Sequence, residues 1–110
     1  MDELVKEIIE LTDVWFSIVT IDHHKDRDCH WYIETTFSYG EPPKYIVRHW
    51  GYVYKDIKIT CTTYESALLL LKNEIGKAIS EQYEWALSNK EDFPRESKLI
   101  CQLLEDRFVE

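Results

Sequence analysis

His30-Trp31-Tyr32-Ile33-Glu34-Thr35-Thr36-Phe37-Ser38-Tyr39 alternates along its whole length. Successive side chains of a strand point to opposite faces, so Trp31, Ile33, Thr35, Phe37 and Tyr39 share one side and Tyr32, Glu34, Thr36 and Ser38 the other. The stretch predicts a strand with one face turned to a core. Downstream, Gly40-Glu41-Pro42-Pro43 removes two backbone donors at consecutive prolines and reads as a turn. Residues 45–54 are rich in aromatic and branched side chains and predict the next strand, with Gly51 as a candidate bulge. Lys55-Asp56 marks a turn before a further strand over residues 57–61. Upstream, Val14-Trp15-Phe16-Ser17-Ile18-Val19-Thr20-Ile21 is β-branched and aromatic on both sides, the texture of a central strand. The expected sheet is a four-stranded antiparallel meander.

Helices are expected on either side of it. Leu4, Val5, Ile8, Ile9 and Leu11 recur at helical spacing over residues 2–13, with Asp2 and Glu3 in the first turn where they complement the helix dipole. Thr62-Thr63-Tyr64-Glu65 has the form of a capping box, Thr62 bonding the third helical amide and Glu65 reaching back. It opens a long helix whose apolar stripe is Leu68, Leu71, Ile75, Ile79 and Ala86. After a break at residues 88–93, Pro94 suits a first turn, and Leu99, Ile100, Leu103, Leu104 and Phe108 form one face of a last helix. Apolar sheet face and apolar stripes bury each other, so the expected fold is α+β, in the order α-β-β-β-β-α-α. One short helix precedes the sheet and two helices follow it, packed on one face. The 110 residues make a single domain, 1–110.

Composition narrows the function classes. With 45% hydrophobic and 31% charged residues, the chain is an ordinary globular protein. Four Trp, seven Tyr and four Phe exceed what one small core encloses, so rings are expected at the surface. The net charge of −8 is concentrated towards the two ends of the chain, while residues 14–62 balance six acids with six bases. The general basic footprint of a nucleic-acid binder is missing, although a local basic patch is compatible with this balance. Cys29, Cys61 and Cys101 are odd in number and lack C-x-x-C spacing, which fits a reducing compartment rather than a disulfide framework. The acidic start, Met1-Asp2-Glu3-Leu4, and the lack of a long apolar run lead to the expectation of a cytoplasmic protein with no membrane partner.

No catalytic motif stands out. With only Gly40, Gly51 and Gly76, neither G-x-x-x-x-G-K-[ST] nor G-x-G-x-x-G can be written, so no nucleotide cofactor is expected. The cysteines sit at ordinary strand or helix positions, where a small buried thiol is the common case. Ile21-Asp22-His23-His24 is similar to the Asp-His-His signature of the DHH phosphoesterases, in which carboxylates and histidines hold two divalent metals. No Asp-x-Asp motif stands among the 21 residues before Asp22, and the resemblance is four residues long. It implies a second alternative function, a small metal-dependent enzyme using the Asp22–His24 region. His23, His24, Cys29 and His30 are also of the right types to gather one transition metal, although a solvated hairpin loop explains them without it, and none is assigned as a ligand. Arg48-His49-Trp50-Gly51-Tyr52-Val53, followed by a strand, Tyr64-Glu65-Ser66-Ala67 and a long helix, resembles the WGR module of poly(ADP-ribose) polymerases. That resemblance implies nucleic-acid contact. Tyr52 stands where the motif has its arginine, and Lys55-Asp56 where its turn has glycine, so no contact residue carries over.

The same stretch has a physical reading of its own. A strand running straight through Gly51 places Arg48, Trp50, Tyr52 and Tyr54 on one side and Tyr45, Val47 and Val53 on the other. Tyr32 of the neighbouring strand joins the first group. Exposed Trp, Tyr and Arg dominate binding hot spots, so Tyr32, Arg48, Trp50, Tyr52 and Tyr54 are the candidate partner-binding residues. The leading expectation is a non-enzymatic protein-interaction module. In general character it resembles small acidic phage or mobile-element inhibitors of the anti-defence, anti-CRISPR-like kind. The expected partner is a protein, basic or nucleic-acid-processing, facing the acidic helices, and a homodimer stays open. The alternative is a nucleic-acid-binding module using Lys44, Arg48, Lys55 and Lys58 beside Tyr45, Trp50, Tyr52 and Tyr54.

Overall fold

The structure, a computed structural model, describes residues 2–22, 30–50 and 54–108. Helix α1 (Asp2–Asp22) leads to strands β1 (His30–Thr36), β2 (Lys44–Trp50) and β3 (Ile57–Cys61), then helices α2 (Tyr64–Ser88) and α3 (Pro94–Phe108). The class is α+β, but the described sheet has three strands in the order β1-β2-β3, each pair antiparallel. The strand expected over residues 14–21 is instead the second half of α1.

The reason lies in the spacing of the buried residues. Ile8, Val14, Trp15, Ile18 and Val19 are buried while Ile9, Asp13, Phe16 and Thr20 are exposed, a period near 3.6 that continues the Leu4-Ile8-Leu11 stripe without a break. Branched residues lower helix propensity by only a few tenths of a kcal/mol each, roughly a fifth of what burying an Ile or Val contributes. The hydroxyls that would favour extended backbone are absorbed within the helix. Thr12, Ser17 and Thr20 donate to the carbonyls of Ile8, Asp13 and Phe16, one turn back.

β1 and β2 pair from His30 opposite Trp50 to Thr36 opposite Lys44. Between them the Glu41 amide donates to the Ser38 carbonyl at 3.0 Å, and Gly40 takes φ +80°, a left-handed position that suits glycine in a tight turn. β2 ends at Trp50, earlier than expected. Gly51, the expected bulge, lies outside the described residues, and Tyr54 stands in a bend before β3.

The cap of α2 sits one residue later than the sequence pattern placed it. Thr63, extended at φ −128° and ψ 152°, accepts from the Ser66 amide at 3.1 Å, so the N-cap is Thr63 and not Thr62. Helix α2 lies on the inner face of the sheet and touches all three strands, and α1 and α3 pack against α2 and each other. Lys72 on α2 reaches Glu7 on α1 at 2.6 Å, and the Tyr83 hydroxyl donates to Glu105 on α3 at 3.1 Å. Between α2 and α3, Asn89 donates to the Trp85 carbonyl at 2.7 Å, and the hydroxyl of buried Ser97 donates to the Asn89 carbonyl. Among the described residues no helix is long and apolar enough to cross a membrane.

Leu68, Leu71, Ile75 and Ile79 are buried along α2 and belong to the main core. Burying a leucine contributes about 1.5–3 kcal/mol, and a carboxylate in its place adds a desolvation cost to that loss. Leu71→Asp therefore removes most of a stability that for such domains is roughly 5–15 kcal/mol. Circular dichroism is expected to show no cooperative melt near the parent's transition. Gly76 lies in the interior of the same helix, and a Cβ there would meet nothing within 4 Å. Gly76→Ala is expected to stabilise the fold by about 0.5–1 kcal/mol and to raise the melting temperature by roughly 3–6 °C. A lowered melting temperature would contradict the open space at this position.

Candidate functional site

The register divides the sheet into two surfaces. Trp31, Ile33, Tyr45, Val47, His49 and Ile57 face the helices. The opposite face carries His30, Tyr32, Glu34 and Thr36 from β1, Lys44, Ile46, Arg48 and Trp50 from β2, and Lys58 and Thr60 from β3. Its side chains lie in rows across the strands: His30 beside Trp50, Tyr32 beside Arg48 and Lys58, Glu34 beside Ile46 and Thr60. Tyr32 is 40% and Trp50 48% exposed, and they sit diagonally across the β1-β2 pair. Ile46 is buried beneath its neighbours although it lies outside the main core. Arg48 donates to Glu34 at 3.3 Å, a half-exposed pair worth at most about 1 kcal/mol.

Three of the five candidate residues, Tyr32, Arg48 and Trp50, therefore meet on one open surface. Tyr52 lies outside the described residues. Tyr54 does not join them: it stands in a bend outside β2, is 8% exposed and is packed in the core. Burial pushes its phenol above the ordinary value, and Glu81 and Glu74 add to the shift. Tyr45 also belongs to the inner side, where its ring meets Tyr64 at 5.7 Å, so it cannot serve the outer surface.

The inner face holds a cluster of rings that the sequence reading did not assemble. Trp15 on α1 meets Trp31, His49 and Tyr54 edge-on, with centroids 5.8, 5.7 and 5.9 Å away. Trp31 and His49 lie 4.4 Å apart. The signal for His49 was its strand parity with Tyr45 and Val47. Trp15 stayed hidden because its segment read as a strand. His49 Nδ1 lies 3.0 Å from the Lys55 carbonyl, which can only accept, so Nδ1 carries the proton and Nε2 the lone pair. Nε2, together with the indole Nε1 of Trp15 and of Trp31, is buried without a hydrogen-bond partner among the described residues. Burial lowers the His49 pKa, outweighing the Lys55 carbonyl and the Asp56 carboxylate, which raise it. His49 is 2% exposed and packs as one ring of this buried cluster.

Among the described residues no three His, Cys, Asp or Glu side chains stand close enough to hold a metal ion. His30 is exposed at the start of β1, while His23, His24 and Cys29 lie outside the described residues. Cys61 and Cys101 are free, half-buried thiols. A groove of about 420 Å³ between the helices, over Gly76, is lined by Leu11, Ile79 and Leu104 together with Ser80, Tyr83 and Glu84. No family model matches this chain, and comparison with curated proteins and with solved structures finds no match. The phosphoesterase-like and WGR-like stretches thus rest on their few residues alone.

The lowered His49 pKa makes a signed prediction. The unfolded chain takes up this proton near pH 6.5, whereas the native state resists it, so the contribution is complete above that value. It is lost as pH falls from 6.5 through the lower native pKa. Urea unfolding is expected to show stability declining with acid in this window, and His49→Phe, which keeps a ring but cannot titrate, is expected to flatten the decline.

Proposed function

We propose that this protein is a non-enzymatic protein-interaction module that binds its partner through the open face of the sheet, with Tyr32, Arg48 and Trp50 as anchors. One observation carries the reading: two large, half-exposed rings flank a guanidinium on a surface no described helix covers. Tyr, Trp and Arg are the side chains that supply most binding energy at interfaces, because each buries a large area with few rotamers or offers a fork of donors. Paired strands hold them without the ordering cost a loop would incur. A role as an inhibitor of the phage or mobile-element kind is the biological form of this proposal. Its support is the small size and the net charge of −8.

The test is a double substitution, Tyr32→Ala with Trp50→Ala. These side chains point away from the main core, so the melting temperature is expected to stay within a few degrees of the parent's. Truncating anchors of this type costs about 2 kcal/mol or more, roughly a thirtyfold loss of affinity. In the cells that make the protein, the parent is expected to recover a stoichiometric partner and the variant to lose it. Phe16→Ala, on the exposed side of α1, is expected to keep it. Retention by the double variant would place the interface elsewhere.

A further inference from the structure

Charge is divided between the two sides of the molecule. Helix α1 carries six carboxylates against Lys6 alone, and α2 sets Glu65, Glu74, Glu81 and Glu84 against Lys72 and Lys77. The outer face of the sheet reverses the sign: Lys44, Arg48 and Lys58 stand against Glu34, which Arg48 already holds. Among the described residues neither Lys44 nor Lys58 makes an ion pair, although the protein has a surplus of carboxylates. The sheet topology separates them, because its outer face looks away from the helices that bear the acids.

The two unpaired ammonium groups are also spaced in a defined way. Lys58 sits beside Arg48, which lies four residues along β2 from Lys44. At about 3.3 Å per residue along a strand and about 4.8 Å between strands, their backbones stand roughly 14 Å apart. The row of Glu34, Ile46 and Thr60 runs between them, with Tyr32 and Trp50 towards the Lys58 end. An extended segment spans the same distance in four residues, and its positions i, i+2 and i+4 all face one way.

We propose, building on the sheet-face reading above, that the occupant of this face is an acidic protein segment in extended conformation. Carboxylates at i and i+4 pair with Lys44 and Lys58, and an apolar side chain at i+2 lies over the middle row of Glu34, Ile46 and Thr60. This assigns the sheet a partner of opposite charge to the basic one that the acidic helices would attract. A nucleic acid fits less well. A polyanion gains affinity from each phosphate neutralised, and here the two lysines without an ion pair among the described residues share the surface with a carboxylate on an acidic protein.

The test uses the full chain, labelled with ¹⁵N, and three probes. One is a peptide with Glu at i and i+4 and Leu at i+2 on a threonine background; the others are its Glu→Lys counterpart and a short oligothymidine. The Glu peptide is expected to shift amides of β1, β2 and β3 and not those of the helices. Raising the salt from about 50 to about 500 mM should weaken it. Lys44→Glu with Lys58→Glu turns two attractions into repulsions and is expected to cut its affinity about tenfold. The Lys peptide is expected to bind at least as poorly to the parent. Equal or tighter binding of the Lys peptide or of oligothymidine, shifts confined to the helices, or no shift at millimolar Glu peptide would each overturn the acidic occupant. The sheet-face reading fails separately. If Tyr32→Ala with Trp50→Ala loses the cellular partner while the charge-reversed variant keeps it, only the acidic occupant falls. If both variants keep it, the face itself is not the interface.

Discussion

The edge-on packing of Trp15 against Trp31, His49 and Tyr54 is the contact on which the rest of the architecture depends. Helix α1 otherwise packs on α2 and α3, so this tryptophan ties the first helix to the sheet. Each of its three neighbours comes from a different place: β1, β2 and the bend before β3. The cluster therefore closes the sheet, the helix ahead of it and the connection after β2 into one core, and it fixes which side of every strand is the inner one.

That choice of inner side creates the outer one. Because side chains alternate, turning Trp31 and His49 inward turns Tyr32, Arg48 and Trp50 outward. A slip of one residue would bury the arginine and expose the cluster, so the register is strongly specified. The proposed docking face is in this sense a by-product of the core. The ring cluster also has a cost, since two indole N–H groups and an imidazole nitrogen are enclosed without partners among the described residues. Large buried ring area offsets it, and the lowered pKa of His49 records the same low-polarity surroundings.

The periodicities were legible where one pattern competed with no other. The 57–61 run leads directly to β3, and the stripes of α2 and α3 are those the spacing implies. The alternation over residues 30–39, however, gives a strand only as far as Thr36: the turn at Gly40 begins sooner, and Phe37 and Tyr39, expected on the inner side, are exposed. The candidate surface was legible in part, as Tyr32, Arg48 and Trp50 follow from strand parity alone. Residues 14–21 misled because local composition favours a strand while the stripe begun at Leu4 favours a helix. Propensity is weak against burial, and the longer pattern won. Tyr54 misled for a related reason: parity carries a prediction only as far as the strand runs, and β2 ends at Trp50.

The amino-acid order alone was enough to determine the class, the separate helical and extended segments, and which residues share a face within each segment. These depend on spacing along one element, and spacing is written in the chain. It was not enough to determine which elements meet. Trp15, Trp31, His49 and Tyr54 are up to 39 positions apart, and nothing local marks them as neighbours. Packing in three dimensions made that choice, because the gain from burying four rings together exists only once the helix and the strands have come into contact. The same step sorted the charges, leaving two lysines on a face where the one carboxylate among the described strand residues, Glu34, is held by Arg48.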